Sequence, residues 1–310
     1  VSTLLGELGK KLTEKWFTLL VLPGMLYVGV AAAGAVLGQR RWADAGRLGT
    51  ELDRLTTHRS FGGPASIAVL AGIVLLTAAV GALAQGIGTV VEGAWLAERW
   101  PPPLSGPSRW LTDRRAHRWA SANHRYLAAK RERALIRVRT RYGHPDMRPE
   151  PDTESLSRAR DRIAFTAPRC PTWIGDRMRA VDTRVLRTYD LDLGPVWPTL
   201  WLVCPQEHRD QVDRARAAFS QAAGVSAWGV LYLLVGLLWW PAAVAGLLMA
   251  LRGWRLGRAA IAIYAGLIEG TVDLHGRDLA VALGFDCPAR LVPELGLEIT
   301  KALRKDETKY

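Results

Sequence analysis

The sequence predicts an all-α, polytopic membrane protein: two helical hairpins, about four transmembrane helices of ordinary span length, with a basic α-helical cytosolic module between them. Three observations lead there. The first is Ala217 to Leu251, 35 consecutive residues without a charge. As one straight helix it would run about 52 Å, well beyond a hydrocarbon core of about 30 Å. Trp239-Trp240-Pro241 interrupts it near the middle. The proline ring removes a backbone donor and disfavours α geometry at the residue before it, and tryptophan rings collect at the membrane–water boundary. The run is therefore expected to fold back, with arms Ala217 to Trp239 and Pro241 onward. The second observation is a pair of apolar blocks nearer the start, Trp16 to Leu37 and a charge-free stretch beginning at Pro64. The third is the strongly basic sequence that separates those blocks from the hairpin.

The chain divides into residues 1–15, an amphipathic N-terminal helix; 16–100, the first transmembrane pair; 101–204, the basic cytosolic module; 205–284, the second hairpin with cytosolic extensions; and 285–310, a cytosolic tail. Leu4, Leu5, Leu8 and Leu12 recur at helical spacing beside Lys10, Lys11 and Lys15, the pattern of a helix lying on a membrane surface. The first span follows from Trp16. Pro23-Gly24 is a point at which it can bend, and Gly34 to Gly38 is a G-x-x-x-G that admits another helix closely. After a polar loop containing a short helix, Ala43 to Leu55, Pro64 follows Gly62-Gly63 as a good first helical residue. No charge appears until Glu92, and the helix is expected to continue toward Trp100, where Pro101-Pro102-Pro103 ends it.

Between Arg109 and Arg141 eleven arginines and lysines face two acids, a local net of +9. Ala116, Ala120, Leu127, Ala134, Leu135, Val138 and Tyr142 project onto one side at 100° per residue, with Arg131 among them. This reads as one long basic amphipathic helix ending near Gly143-His144-Pro145, followed by a polar linker from Met147 to Ser157. Its charged side chains, Arg114, Arg115, Arg118, Arg125, Lys130, Arg131 and Arg133, are candidates for docking anionic lipid headgroups or a cytosolic protein partner. Nucleic acid is disfavoured as a partner, because no recognition motif accompanies the charge and Trp110, Trp119 and Tyr126 do not form a stacking platform.

From Pro171 to Trp201 runs PTWIGDRMRAVDTRVLRTYDLDLGPVWPTLW. Thr172 is placed to cap a helix in which Asp176 can pair with Arg179, and Asp182 with Arg179 and Arg187. Gly194-Pro195 and Trp197-Pro198 then impose turns, and Trp197 and Trp201 are expected to anchor this module at the membrane. Through the block PT-x-x-G … Y-x-x-D … W-P-x-L-W, the chain resembles a group of uncharacterised bacterial multi-span membrane proteins over roughly Pro171 to Gly284. That resemblance implies the topology and brings no catalytic residue.

Pro205-Gln206-Glu207 starts a helix able to run through Asp213 and Arg216 into the first hairpin arm. The return arm meets Arg252, Arg255 and Arg258 about 16 Å after the turn by helix rise. Facing lipid at mid-bilayer each would cost about 2.5–3.5 kcal/mol. They are expected to act as interface anchors together with Trp16, Trp239, Trp240 and Trp254. Farther on, Glu269, Asp273 and Arg277 sit at successive i, i+4 positions and read as a surface ion-pair ladder, with His275 pointing elsewhere. Pro293 to Arg304 is a last short helix with Leu295, Ile299 and Leu303 on one side.

Composition fits this picture. Hydrophobic residues make up 49% of 310 and the net charge is +12, while a mean hydropathy of +0.04 averages apolar blocks with a basic one. Cys170, Cys204 and Cys287 are far apart and show no metal-ligand spacing, so neither disulfides nor a metal or other cofactor is expected. Val1 at the initiator position and the abundance of Ala, Arg and Gly suggest a bacterial source, and no cleavable signal peptide fits the first apolar run. Basic residues near most span ends favour four crossings with both termini in the cytoplasm of a cell-membrane protein, against the five arginines of the first loop; three crossings with the tail outside is the alternative.

No phosphate-binding loop, zinc-protease signature, nucleophile elbow or dinucleotide fingerprint occurs in the sequence. The expected function is a non-enzymatic membrane anchor, adaptor or effector that recruits a protein to the inner membrane face. The alternative is a channel or transporter for ions or small solutes, built by self-association of the hairpins.

Overall fold

The computed structural model describes residues 22–44, 46, 47, 49, 50, 53, 54, 64–143 and 149–305. Among these every regular element is a helix: α1 Leu22–Leu37, α2 Pro64–Leu96, α3 Ser105–Arg141, α4 Thr153–Asp161, α5 Trp173–Tyr189, α6 Leu193–Val203, α7 Gln206–Val235, α8 Trp240–Ala282 and α9 Pro293–Arg304. Two are long and apolar enough to cross a membrane, Ile67–Leu96 and Gln206–Val235. The amphipathic segment before Trp16, Trp16 itself and the charged end of the tail lie outside the described residues. The chain falls into two compact units, Val1–Glu92 with Ser220–Gly257, and Gly93–Phe219 with Arg258–Tyr310.

In the first unit, small residues decide which helices touch. A side chain at Gly24 would collide with the Thr77 carbonyl, and one at Gly34 would lie 2.9 Å from Trp239 Cβ. Gly38, the other end of the expected G-x-x-x-G, is instead in the left-handed region at φ +63°, where α1 has ended. Gly229 faces Gly246 and Ala250, Gly236 faces Ala243, and Gly253 faces Ala222 and Ser226. These pairings bring the α7 and α8 backbones together along their length. Ser226 Oγ donates to the Ala250 carbonyl across the same seam at 3.5 Å. A compact aromatic core sits nearby: Tyr27 meets Tyr232 edge-on at 5.4 Å and Trp228 at 6.1 Å.

The reversal after α7 begins at Gly236, so the first arm ends at Val235 and stops short of Trp239. Gln39 explains the position. Its Nε2 donates to the Gly236 and Leu237 carbonyls at 3.0 and 2.9 Å, and its Oε1 accepts from Trp240 N at 3.1 Å. One side chain thus satisfies carbonyls left over at the end of α7 and a free amide at the start of α8. From Trp240 the helix is unbroken for 43 residues and carries Pro241 in its first turn, where the missing donor costs nothing.

The second unit is built on a core of Val181, Val185, Leu191, Val196, Leu200, Val272, Leu279 and Ile299, contributed by α5, α6, α8 and α9. Thr172 caps α5 by accepting from Gly175 N at 3.0 Å, as its sequence position predicts. Gly194-Pro195 and Trp197-Pro198 do not make separate turns: α6 runs through both, capped by Asp192 at Gly194 N. Pro195 falls in the first turn, where no donor is required. The expected polar linker after α3 contains α4, whose cap Asp152 accepts from Glu154 N and Ser155 N. α9 has the expected bounds and its Ile299 is fully buried.

Gly246→Ala should therefore destabilise the protein by about 1–3 kcal/mol, because the new methyl group meets backbone that cannot rotate away. The added carbon would lie 2.7 Å from the Gly229 carbonyl oxygen and from Leu233 N. Gly266→Ala has open space and should be neutral or stabilising by up to about 1 kcal/mol from helix propensity. Thermal unfolding of both variants in mild detergent checks the opposite signs.

Candidate interaction surface

α3 is one helix of 37 residues, as the charge and periodicity predict, but its buried face differs from the expected one. Ser108, Ala122, Ala129 and Ile136 are buried, and Arg115 is largely so. These five positions are spaced by seven residues and form the inward seam. Leu127, Leu135, Val138 and Tyr142, expected to face inward, are exposed. The rotation follows from Arg115. Its guanidinium pairs with Asp176 Oδ2 at 2.6 Å and donates to the Cys170 and Ile163 carbonyls at 2.7 and 2.9 Å. Asp176 Oδ1 in turn accepts from Arg169 N and Cys170 N, each at 2.9 Å. Sequence spacing pairs Asp176 with Arg179; the fold gives it to another helix because the carboxylate is 2% exposed and needs a fixed cation.

The expected docking residues now separate. Arg115 and Arg133 are engaged internally, the latter with Glu150 Oε2 at 2.7 Å and Thr153 Oγ1 at 2.9 Å. Arg118, Arg125, Lys130 and Arg131 are exposed and make no ion pair among the described residues. Arg114 is also exposed and lies over the Trp110 ring at 5.2 Å. The outward side of α3 thus presents leucine, valine and tyrosine interleaved with unpaired cations.

Trp197 and Trp201 meet at 5.7 Å and line a cleft of about 370 Å³ with Val212, Arg216 and Tyr264. Among the expected interface anchors, Trp240 stacks edge-on against Trp42 at 5.1 Å and Trp239 Nε1 donates to the Trp42 carbonyl. Trp254 is half-buried, and Arg252 and Arg255 are exposed. Arg258 lies over the Trp173 ring at 4.4 Å, so part of its surroundings is aromatic rather than aqueous.

The predicted Glu269–Asp273–Arg277 ladder does not form. Glu269 pairs with Arg177 at 2.9 Å and Arg184 at 3.4 Å, Asp273 accepts from Tyr189 Oη at 2.8 Å, and Arg277 donates to the Cys287 carbonyl at 3.0 Å. Each group crosses to a different segment because α8 is packed on that face. Sequence reasoning also missed a relay through His275. Its Nδ1 lies 3.0 Å from Asp278 Oδ2 and its Nε2 lies 2.8 Å from His208 Nδ1. With Nδ1–H given to the carboxylate, Nε2 accepts from His208 and leaves His208 Nε2 as the free end of the chain. The His275–Asp278 spacing of three residues was the available signal; the His208 partner lies on another helix. Among the described residues no group of three or more His, Cys, Asp or Glu is placed to hold a metal ion.

Burial, with the negative charge of Asp176 beside it, pushes the Cys170 thiol up to about 12. Cys170 should therefore resist alkylation at pH 8 in the native protein and react on unfolding. Mass spectrometry of a C204A/C287A variant after iodoacetamide treatment checks this. Arg115→Ala strands the buried Asp176 carboxylate and should cost about 3–5 kcal/mol. Arg118→Ala, at an exposed position, should change stability by no more than about 0.5 kcal/mol; denaturant titration of the two variants gives the comparison. No family model, curated protein or solved structure matches the chain.

Proposed function

We propose that this chain is a non-enzymatic, multi-pass membrane anchor whose basic helical module recruits a cytosolic protein with an acidic surface to the inner membrane face. The observation that carries the reading is the exposed side of α3. Leu127, Leu135, Val138 and Tyr142 are open to solvent, and the unpaired Lys130 and Arg131 lie between the first two of them in sequence. An apolar stripe with cationic flanks fits a partner that offers apolar contact inside an acidic rim.

Membrane residence is supported by how little of α2 is covered. Only 17% of its most apolar window is buried, and Ile67, Leu70, Leu75 and Val90 stand outward. A core helix of a water-soluble domain hides such residues, whereas lipid accepts them. α7 is covered to a greater degree, 50%. In this reading the shorter apolar helix α1 and the first part of α8 complete two hairpins with four crossings. Both termini lie in the cytoplasm, and the tryptophans around the α7–α8 turn lie at the far boundary.

Affinity purification in mild detergent tests the proposal. The wild-type chain should bring down a stable acidic partner, and R118E/R125E/K130E/R131E should lose it while keeping its helical content and detergent solubility. A wild-type chain recovered alone, or a partner retained by the charge-reversed variant, overturns recruitment through α3. The topology has its own check: a C-terminal tag should stay protected from protease added to intact cells.

A further inference from the structure

A second feature of the Gly93–Phe219 unit goes beyond recruitment and does not rest on it. A cavity of about 930 Å³ opens between the segment after α2, the first turns of α3, the loop before α5 and α5 itself. Four arginines line it: Arg99, Arg109, Arg169 and Arg179. Two of the more buried guanidiniums of this unit are matched with acids, Arg115 with Asp176 and Arg177 with Glu269. These four side chains make no close ion pair and no side-chain hydrogen bond among the described residues, although Arg179 lies near enough to Asp182 to favour its charged form, and Arg179 Nε is shielded from solvent without a partner. Four cations around one cavity, only partly offset by the acids that share its lining, make a positive field that favours an anion there.

The helix that enters the cavity adds to the same field. α3 has Leu104 at its cap position, with no side-chain capping bond and no acid in its first turn. Ser105, Ser108 and Thr112 from its first two turns line the cavity. The positive end of a 37-residue helix and its unused amides therefore accompany the arginines. Glu98 and Asp113, both exposed, also line the site. Four positive and two negative side chains leave a net of +2. A phosphomonoester carries about −1.5 to −2 near neutral pH and presents oxygens that suit guanidinium forks.

We infer that this cavity binds a dianionic phosphomonoester. Two sources share that chemistry, the headgroup of phosphatidic acid and a soluble phosphorylated metabolite. Glu98, Arg99 and Trp100 follow within four residues of Leu96, the last residue of a candidate membrane span. In the membrane reading of α2 that position lies at headgroup depth, where tryptophan and arginine are common.

The test uses the full chain purified in neutral detergent and three probes: dihexanoyl phosphatidic acid, glycerol 3-phosphate and, as phosphodiester control, dihexanoyl phosphatidylcholine. Saturable binding of phosphatidic acid or glycerol 3-phosphate is expected, with affinity at least ten-fold below wild type in R99A/R109A. The charge-matched control R187A/R214A, outside the cavity, should retain it. Arg169→Ala provides a second, single variant should the double variant fail to fold, with the same loss expected. Tighter binding of phosphatidic acid than of glycerol 3-phosphate assigns the site to lipid; equal affinities assign it to a soluble phosphomonoester. The inference is overturned if neither phosphomonoester saturates, if phosphatidylcholine binds as well, or if the arginine variants bind like wild type.

Discussion

The second unit depends on a carboxylate that has been taken out of water. Asp176 is 2% exposed, and an ionised group in that position is tolerated only when donors and a fixed cation compensate its lost hydration. Two amides, of Arg169 and Cys170, donate to its Oδ1, and Arg115 stands 2.6 Å from Oδ2 as its counter-charge, without a hydrogen bond to that oxygen. The same guanidinium holds the Cys170 and Ile163 carbonyls. One charge pair therefore joins α3, the loop before α5 and the first turn of α5. Because Arg115 must point inward, the rotation of α3 about its axis is set. The residues that face solvent near its C-terminal end, and those that face the cavity near its start, follow from that single requirement.

Arginine in this chain has two distinct uses, and partners distinguish them better than position does. Arg115, Arg133 and Arg177 are structural: each meets a carboxylate at 2.6 to 2.9 Å and is at least partly withdrawn from water. Arg118, Arg125 and Arg131 on α3, like Arg99, Arg109 and Arg169 around the cavity, are exposed and unmatched. An unmatched exposed cation contributes little to folding. Its natural role is toward something outside the chain, and the two groups differ in what they suit: an extended stripe mixed with apolar side chains on one hand, a concave polar site on the other.

Much of the helical architecture was legible in the sequence, because it depends on local signals. Pro64 as the first helical residue, the Thr172 cap, the length of α3 and the bounds of α9 all follow from one turn of sequence or from simple periodicity. The inward face of α3 was misread for a physical reason. Apart from Ile136, its seam is made of Ser108, Ala122 and Ala129, small residues that a search for large apolar side chains passes over, and of an arginine paired far away in sequence. The Glu269–Asp273–Arg277 ladder failed likewise, since helical spacing reports which groups can meet when no other helix is present. α4 was hidden in a proline-bearing stretch, although Asp152 ahead of Glu154 was a usable start signal. The cavity could not be read at all: Arg99, Arg109, Arg169 and Arg179 come from four segments that only the fold brings together.

Three helices carry the chain from one unit into the other without a break in secondary structure, α2 after Glu92, α7 before Ser220 and α8 after Gly257. Near these places composition changes in the same direction, in α8 already from Arg252, within the first unit. α2 is charge-free until Glu92, α7 loses its charges after Arg216, and α8 acquires Arg252, Arg255 and Arg258 after a charge-free start. A flexible linker between soluble domains would show glycine, proline or polar residues and a helix end at such a point. Here helices exchange charged for uncharged sequence without ending. Backbone polar groups are satisfied within the helix on both sides of the change, and only the side chains must differ. Ser220 Oγ donates to Glu92 Oε2 at 2.7 Å beside this change in α2 and α7.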